Sequence, residues 1–278
     1  HKLHEIRELC TACTVLRGGE VTGLCNPRDE SNASLSRLMI GAEPPAMKHQ
    51  ERTPGEVLFE TVNLSLEKED QFGADLHGIN LQVRSGEVVG IAGVSGNGQR
   101  ELLYALSGED TRAPSQAIQL LQQDVGHLDA HERRQVGMHF VPEERLGRGA
   151  VPSLSLAQNM LLTRSEAIAQ SGWIDTNTLQ AQAQKVIDRF NVKANGPQAA
   201  AQSLSGGNLQ KFIVGREIDA KPKVLLVSQP TWGVDVGAAA QIRAELLALR
   251  DAGCAVLVVS EELDELFEIS DRLYVMAN

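Results

Sequence analysis

Apolar residues along the chain fall into two kinds of pattern, short strand-like stretches and longer segments with a single apolar face. The strand-like stretches lie at 57–66, 76–84, 87–92, 224–227 and 255–259. The segments whose apolar residues recur at helical spacing lie at 99–106, 176–190 and 238–250. The first kind fits buried strands, and the second fits amphipathic helices. Their alternation predicts an α/β fold with a largely parallel sheet and helices on its faces.

The two ends of the chain resemble each other. Residues 1–17 align without gaps onto residues 261–277, with Leu9 opposite Ile269. Each copy is predicted to form a helix that leads into a strand. A repeat confined to the two ends predicts a tandem two-domain protein, and the chain then begins inside the first domain. A coincidental likeness between two short amphipathic helices is the alternative.

A polar stretch rich in Pro and Gly separates the first copy from most of the chain. Residues 41–56, which begin GAEPPAMKHQERTPG, are therefore predicted to be a linker. Residues 1–40 would then be the C-terminal tail of a first domain. Residues 57–278 would form a second domain, nearly complete and truncated at its C-terminal end.

Composition narrows the classes of partner. The net charge of −10 argues against nucleic acid as the main partner, because binding to a phosphate backbone needs clustered Lys and Arg. No apolar run approaches the roughly 18 residues that cross a bilayer, so any membrane association is expected to run through another subunit.

Cys10 and Cys13 form a C-x-x-C motif close to His1 and His4. A zinc site is one interpretation, but two small apolar residues at a helix–strand junction are preferred because no second, well-spaced pair follows.

Residues 93–100, GVSGNGQR, stand between a predicted strand and a predicted helix. Gly93 and Gly98 have the spacing of a phosphate-binding loop, G-x-x-x-x-G, which Lys and then Ser or Thr normally follow. Gln99 and Arg100 occupy those two places. The stretch is either a chance glycine loop or a nucleotide site that has lost its chemical groups. In the second case the loop residues predicted to lie against the nucleotide are Gly93, Ser95, Gly96, Asn97, Gly98, Gln99 and Arg100.

Two further patterns carry candidate chemistry. LSGGNLQK at 204–211 precedes an amphipathic helix, where Ser205 and the two glycines after it offer a hydroxyl group and unblocked backbone N–H groups to an anion. A simple helix cap and turn is the alternative. VLLVSQPTWGVDVGA at 224–238 runs from a buried strand into Ser228 and Gln229, and reaches Asp235 just before a helix.

These three patterns, in this order, resemble the nucleotide-binding domain of ATP-binding cassette (ABC) ATPases over essentially all of residues 57–278. LSGGN is similar to the signature motif of that family and comprises Leu204, Ser205, Gly206, Gly207 and Asn208. By the same resemblance, Asp235 lies in the interdomain D-loop and Glu143 replaces the Q-loop glutamine. The resemblance implies a P-loop ATPase fold with a mixed, mainly parallel sheet, an antiparallel β subdomain and an α-helical subdomain. The combination of GNGQ, PEER, LSGGN and QPTWGVDVGA looks most like the second domain of tandem importer ATPases for sugars and nucleosides, and closest to the nucleoside group.

The resemblance also identifies catalytic groups that this domain has replaced. The family needs a Lys on the phosphates, a Ser or Thr and an Asp on magnesium, a Glu beside the attacking water and a His at the switch. Those positions hold Gln99, Arg100, Ser228, Gln229 and Glu261. Gln99 is uncharged, Ser228 is a poor ligand for a hard cation that favours carboxylates, and Gln229 cannot accept a proton at neutral pH. Because the glycines remain, we expect a site that is able to hold nucleotide but holds no metal and does not hydrolyse.

In that family, two domains meet head to tail and each signature closes over the phosphate loop of the other. The resemblance therefore implies that ATP and Mg²⁺ bind mainly between this signature and a first ABC domain of the same full-length chain, with His1 at that domain's switch. It also implies a membrane permease docked on residues 145–162, a solute-binding protein as an indirect partner, and a position on the cytoplasmic face of the plasma (inner) membrane. A soluble tandem ATPase without a permease and a structural domain that binds no nucleotide stay open as alternatives. The choice between nucleoside and sugar also stays open.

Overall fold

The computed structural model describes residues 3–17, 19–41, 53–164, 169–170 and 173–277. The helices in chain order are α1 (Leu3–Leu9), α2 (Asn32–Ile40), α3 (Gln99–Ser107), α4 (Ala130–Val136), α5 (Leu156–Leu161), α6 (Thr176–Arg189), α7 (Gly206–Asp219), α8 (Val236–Asp251) and α9 (Leu263–Ile269). The strands are β1 (Cys13–Arg17), β2 (Glu20–Cys25), β3 (Val57–Leu66), β4 (Leu76–Arg84), β5 (Val88–Gly93), β6 (Ile118–Leu120), β7 (Gln123–Asp124), β8 (Met138–Val141), β9 (Ala169–Gln170), β10 (Trp173–Ile174), β11 (Val224–Ser228), β12 (Ala255–Val259) and β13 (Arg272–Met276). The predicted strands and helices are found, and β3, β4 and β12 have the predicted bounds.

A parallel sheet forms the centre of the fold, with the strand order β13-β5-β12-β11-β8. Each neighbouring pair in this sheet is parallel. Every residue of β11 and β12 is buried, which explains why both strands are continuous apolar runs instead of alternating ones. The predicted parallel sheet is therefore confirmed.

The two faces of this sheet belong to two hydrophobic clusters. Leu225 and Val227 of β11 point into a cluster that includes Phe212 of α7 and Ile242 of α8. Leu226, between them, points into the other cluster with residues of α3 and β3. Successive side chains of a strand point to opposite faces, so one short strand serves both cores.

The remaining layers match the predicted fold class. A second, antiparallel sheet has the order β4-β3-β6-β7 and covers the α3 side of the parallel sheet. Helices α5, α6 and α7 pack against one another on the other side. The expected P-loop ATPase architecture, with a β subdomain and a helical subdomain, is thus confirmed. Antiparallel pairing among the described residues is confined to the smaller sheets, so the central sheet itself is parallel instead of mixed.

Both ends of the chain form the predicted helix followed by a strand, α1–β1 and α9–β13. In the C-terminal copy, β13 pairs in parallel with β5, whereas β1 pairs antiparallel with β2. Helix α2 ends at Gly41, whose φ of 87° stops the helix, and β3 begins at Val57. Most of the predicted linker, 42–52, and His1 lie outside the described residues, and the division into domains stays a prediction.

The C-x-x-C motif lies where α1 passes into β1, as the preferred interpretation expects. Cys13 stands directly opposite Cys25 in the β1–β2 pair. Among the residues that the structure describes, no group of three or more His, Cys, Asp or Glu side chains is placed to hold a metal ion. Within the same described ranges, no helix has the length and apolar character that a membrane crossing requires.

Candidate functional site

The carboxyl ends of four parallel strands, β5, β8, β11 and β12, meet at one edge of the central sheet, the usual place for a ligand in such a fold. A cavity of about 360 Å³ opens there. The predicted nucleotide-side residues that line this cavity are Gly93, Ser95, Gly96, Gln99, Arg100, Glu143, Ser228, Gln229 and Glu261. Asn97 and Gly98 belong to the same loop but do not line the cavity. Most of the residues that the motifs single out therefore lie around one cavity, and their role toward a nucleotide stays a prediction.

The glycines of the loop are required by the backbone itself. Gly96 and Gly98 have φ angles of 93° and 95°, in the left-handed region that favours glycine. A Cβ atom on Gly93 would lie 2.3 Å from Gln99 Nε2 and 2.7 Å from the carbonyl oxygen of Met276. Packing therefore explains Gly93 without a ligand, so the retained glycines are weaker support for bound nucleotide than the sequence alone indicates.

Gln99 folds back onto the loop from which it comes. Its Nε2 donates to the carbonyl oxygen of Val94 at 3.0 Å, and Asn97 Nδ2 donates to the carbonyl oxygen of Met276 at 3.3 Å. The Oε1 of Gln99 is buried and has no hydrogen-bond partner among the described residues. The loop is thus closed by its own amide groups, and no cation projects from position 99.

Arg100 is already paired with carboxylates. Its Nη2 lies 3.3 Å from Asp70 Oδ2 and 3.0 Å from Glu101 Oε1. The hydrogen bond to Glu101 and the charge of that group raise the pKa of the Arg100 guanidinium. Two neighbouring carboxylates therefore satisfy the charge of Arg100 within the cavity wall.

The wall of the cavity is acidic. Its lining contains the carboxylates Asp70, Glu101, Glu143, Glu144 and Glu261, and the guanidinium groups Arg100 and Arg148. Burial raises the pKa of Glu143, and the nearby charges of Glu144 and Glu261 raise it further. Arg148 stacks over the ring of Tyr104 at 4.7 Å and pairs with Glu109 at 2.5 Å. A free triphosphate would meet more like charge than opposite charge in this cavity.

Gln229, which the resemblance to ABC ATPases predicts to replace a water-activating glutamate, stabilises the end of the sheet. It is buried, has a φ of 47°, and donates its backbone N–H to the carbonyl oxygen of Val259 at 2.8 Å. Its Oε1 accepts from the backbone N–H of Glu261 at 3.2 Å and from Ser260 Oγ at 3.4 Å. The Gln229 side chain therefore links β11 to the segment after β12, and it is a neutral amide that cannot act as a base.

The signature motif lies apart from this cavity, at the start of the 14-residue helix α7. Ser205 is the N-cap residue, but its side chain makes no capping hydrogen bond to the helix backbone. Instead, Asn208 Nδ2 donates to Ser205 Oγ at 2.9 Å, and Asn208 Oδ1 accepts from the backbone N–H of Lys193 at 2.9 Å. Ser205 and Gly206 are exposed. The first turn thus offers backbone N–H groups and a positive helix end toward the outside.

Leu204 is half-buried and packs against the cluster of helices α6, α7 and α8.

Asp235 is the N-cap of α8 and accepts from the backbone N–H of Ala238 at 2.8 Å. That contact is a sufficient structural reason for an aspartate at this place. Its predicted role in an interdomain D-loop stays a prediction.

The structure adds residues that the motifs did not single out. Phe72 is 86% exposed and lines the mouth of the cavity, where an aromatic face can stack on a flat ring. The signal in the sequence is an isolated aromatic residue in the polar stretch EKEDQFGAD.

Arg145 lies beside the signature, with Nε donating to Gln210 Oε1 at 3.0 Å and its guanidinium 5.6 Å from the centre of the Trp232 ring. No local pattern marks that contact, because Gln210 and Trp232 are distant in sequence.

Solved structures with the same architecture are ATP-binding cassettes. A dimeric bacterial ABC transporter cassette superposes with a TM-score of 0.66 at 20% identity, over 79% of this chain and 94% of its own. A nucleotide-free cassette from an ABC transporter gives a TM-score of 0.65 at 22% identity, over 80% of this chain and 88% of its own. The fold is therefore that of an ATP-binding cassette.

The profile of the family described as ABC transporter matches residues 76–232, and the chain belongs to that family. A nucleoside import ATP-binding protein of Lactococcus lactis is 38% identical over 99% of this chain and 55% of its own length. A glucose import ATP-binding protein of Haloferax volcanii is 38% identical over 99% and 51%, and a guanosine import ATP-binding protein of Bacillus subtilis is 35% identical over 96% and 53%. The chain spans about half the length of these curated relatives.

Proposed function

We propose that this chain is part of the ATP-binding protein that powers an ABC importer of nucleosides or simple sugars. Its signature at 204–208 closes an active site whose phosphate loop lies on another domain, and its own cavity does not hydrolyse ATP. The observation that carries this proposal is the contrast between an exposed, uncapped helix end at the signature and an acidic cavity at the glycine loop. The relatives named for nucleoside and glucose import support the class of solute.

The residues of the cavity do not fit a magnesium nucleotide. Hard divalent cations favour carboxylate ligands, but among the described residues no three acidic, His or Cys side chains are grouped to hold a metal ion. Strand β11 ends in Ser228, and the neutral Gln229 follows it. Arg100, at the position of the hydroxyl ligand, is a cation paired with Asp70 and Glu101. We therefore assign ATP and Mg²⁺ to the composite site, where the contribution of this chain is the first turn of α7.

The segment 145–162 is the proposed docking surface for an integral membrane permease. It exposes Leu146, Val151 and Leu162, which gives it apolar contact area. Its backbone is anchored from inside, because the buried Arg216 donates to the carbonyl oxygens of Asn159 at 3.1 Å and Gly149 at 2.8 Å. Exposed apolar residues on an anchored segment suit a membrane permease as the partner, and the proposal places the protein with that permease at the cytoplasmic face of the membrane.

The two repeat copies support the proposed tandem arrangement. Leu9 is 79% exposed, whereas Ile269, its counterpart in the alignment, is completely buried where α9 packs beside β5. A first ABC domain in the full-length protein would supply the missing sheet for the first copy. The proposal therefore includes that domain as a partner and a solute-binding protein as an indirect one.

The test is the ATPase activity of the chain alone with saturating Mg²⁺. We expect no release of phosphate above the buffer rate, and restored turnover when the chain is part of the full tandem protein bound to its permease. Turnover by the chain alone that survives repurification and disappears in Gln99→Ala would contradict the proposal. Full activity of the tandem protein without any permease would favour the soluble alternative.

A further inference from the structure

Arg145 connects three segments of the chain that are remote in sequence. Its Nε donates to Gln210 Oε1 at 3.0 Å, and its Nη2 donates to the carbonyl oxygen of Trp232. Gln210 is buried in the second turn of α7, and its Nε2 donates to the carbonyl oxygen of Pro230 at 3.1 Å. The guanidinium and the amide together therefore hold the signature helix against the loop that follows β11.

The space around this guanidinium is made by glycines. A Cβ atom on Gly206 of the signature would lie 2.7 Å from Arg145 Nη1. A Cβ atom on Gly233, whose φ is 63°, would lie 3.3 Å from Arg145 Nη2. The planar group thus fills the gap between the signature turn and the loop that leads to Asp235, and its fork can satisfy two acceptors at once in a way that a lysine ammonium cannot.

The backbone of Arg145 belongs to the proposed docking segment. Its carbonyl oxygen accepts from the N–H of Ala150 at 2.7 Å, and the carbonyl oxygen of Glu144 accepts from the N–H of Gly149 at 2.9 Å. These bonds close a tight loop next to the exposed Leu146 and Val151. A displacement of this loop by a partner would therefore move the guanidinium, and with it the contacts of Gln210 and Trp232.

We propose that Arg145 is a positioning residue that holds the signature turn in register with the 229–235 loop and transmits the state of the docking segment to both. This inference rests on the proposed function for the partner that moves the segment. The contacts themselves are independent of that function. Two measurements can therefore separate the two proposals.

The first measurement is hydrogen–deuterium exchange on the chain itself, comparing wild type with Arg145→Met and Arg145→Lys. We expect exchange to accelerate about tenfold in 204–210 and 229–235 together in Arg145→Met, because a positioning contact worth on the order of 1.4 kcal/mol is lost, with no change in β5 or β12. The matched control is Arg189→Met, which removes an arginine of α6 that pairs with Glu245 at 2.6 Å and stacks on Phe190 at 5.4 Å. Unchanged exchange in both segments, or a change in only one of them, would overturn the role of Arg145.

The second measurement is solute imported per ATP hydrolysed by the full tandem protein in its permease complex. We expect this ratio to fall at least threefold in Arg145→Met and to stay low in Arg145→Lys, which keeps the charge and loses the fork. A purely structural role would lower import and hydrolysis equally, as a loss of folded protein does, and that result would overturn the coupling role. Accelerated exchange combined with a wild-type complex that imports no nucleoside or sugar would contradict the proposed function and leave the positioning contact standing.

Discussion

The glycine loop before α3 and the signature at the start of α7 each present the N-terminus of a helix, but the side chains around the two helix ends differ. The N-cap of α3 is Gly98, which has no side chain to cap the helix, and the N-cap of α7 is Ser205, whose hydroxyl makes no capping hydrogen bond. Both helices therefore offer backbone N–H groups at a positive helix end. Glu101 stands in the first turn of α3 among further cavity carboxylates, whereas the first turn of α7 has no acidic residue and Arg145 beside it. Under the proposed function, the charges of the side chains around each helix N-terminus decide which of the two binds a phosphate group.

The strongest test of this difference is the same substitution at both places, Gly206→Asp and Gly96→Asp, in the full tandem protein. At 206 the carboxylate would stand where, under the proposed function, backbone N–H groups meet the γ-phosphate, and we expect ATPase activity and uptake to fall by about 10² or more. At 96 no atom lies within 4 Å of an added Cβ, but the φ of 93° strains any side chain at this position, so a thermal melt must first show that the variant folds. The folded variant should keep most of its activity. Steady-state ATPase and uptake assays decide, and equal losses at both positions would contradict the assignment of one active and one inactive site.

The second test removes the acidity of the cavity. The repulsion between a carboxylate and a phosphate about 8 Å apart is on the order of 0.5 to 2 kcal/mol. The double variant Glu143→Gln, Glu261→Gln should therefore bind a fluorescent ATP analogue about tenfold more tightly than wild type. The measurement is a fluorescence titration of the chain without Mg²⁺. Glu268→Gln, on α9 outside the cavity, is the matched control and should leave the affinity unchanged.

Acid should act in the same direction as these substitutions. The pKa of Glu143 is raised, so protonation of this group begins at a higher pH than in an ordinary glutamate and reduces repulsion as the pH falls. An affinity that falls on acidification would show that repulsion by carboxylates does not limit binding. A double variant with the same affinity as wild type would show the same.

The third test concerns Gln99 and has a smaller expected effect. Its side chain bonds only to the loop's own backbone among the described residues, so Gln99→Ala in the tandem protein should change turnover by less than about twofold, as for a surface substitution away from the chemistry. Gln99→Lys should not give the isolated chain ATPase activity, because Ser228 and Gln229 stay in place. A phosphate-release assay checks both, and activity gained by the single Lys variant would show that the cavity lacks only a charge.

The pattern of apolar residues was sufficient to predict an α/β fold with a largely parallel sheet, whereas the β and helical subdomains were implied only by the resemblance of the motifs to ABC ATPases. Buried strands such as β12 are continuous apolar runs, and the motifs follow strands whose carboxyl ends meet at one sheet edge. The order of motifs therefore predicted that Gln99, Gln229 and Glu261 would line one cavity. It could not predict that the Gln229 amide bonds to the backbone of Glu261, because that contact depends on a positive φ at Gln229 and on the register of β11 with β12.

Residues that act through distant partners could not be found from sequence. Arg145 meets Gln210 only because α7 packs beside the loop after β8, and Arg148 reaches Tyr104 and Glu109 from the same loop. The acidity of the cavity is likewise a property of the assembled wall, since Asp70 and Glu261 are far apart in the chain. Local motifs identify the glycine loop and the helix N-terminus, and tertiary structure determines which charged side chains surround them.

The smallest expected effect is on stability, in Glu143→Gln of the isolated chain. The folded state raises the pKa of Glu143 above its ordinary 4.5, so the ionised group destabilises the fold at neutral pH, and this cost disappears as the pH falls through the folded pKa toward the unfolded one. We expect the variant to raise the melting temperature at pH 7 by less than about 2 °C, because the group is partly exposed to solvent, and to have no effect near pH 4. Differential scanning calorimetry at both pH values measures this. Glu268→Gln serves as the control for loss of a surface carboxylate. A Glu143→Gln variant that melts below wild type at pH 7 and not at pH 4 would contradict the prediction. It would show that attraction to Arg148 stabilises the ionised Glu143 more than repulsion from Glu144 and Glu261 destabilises it.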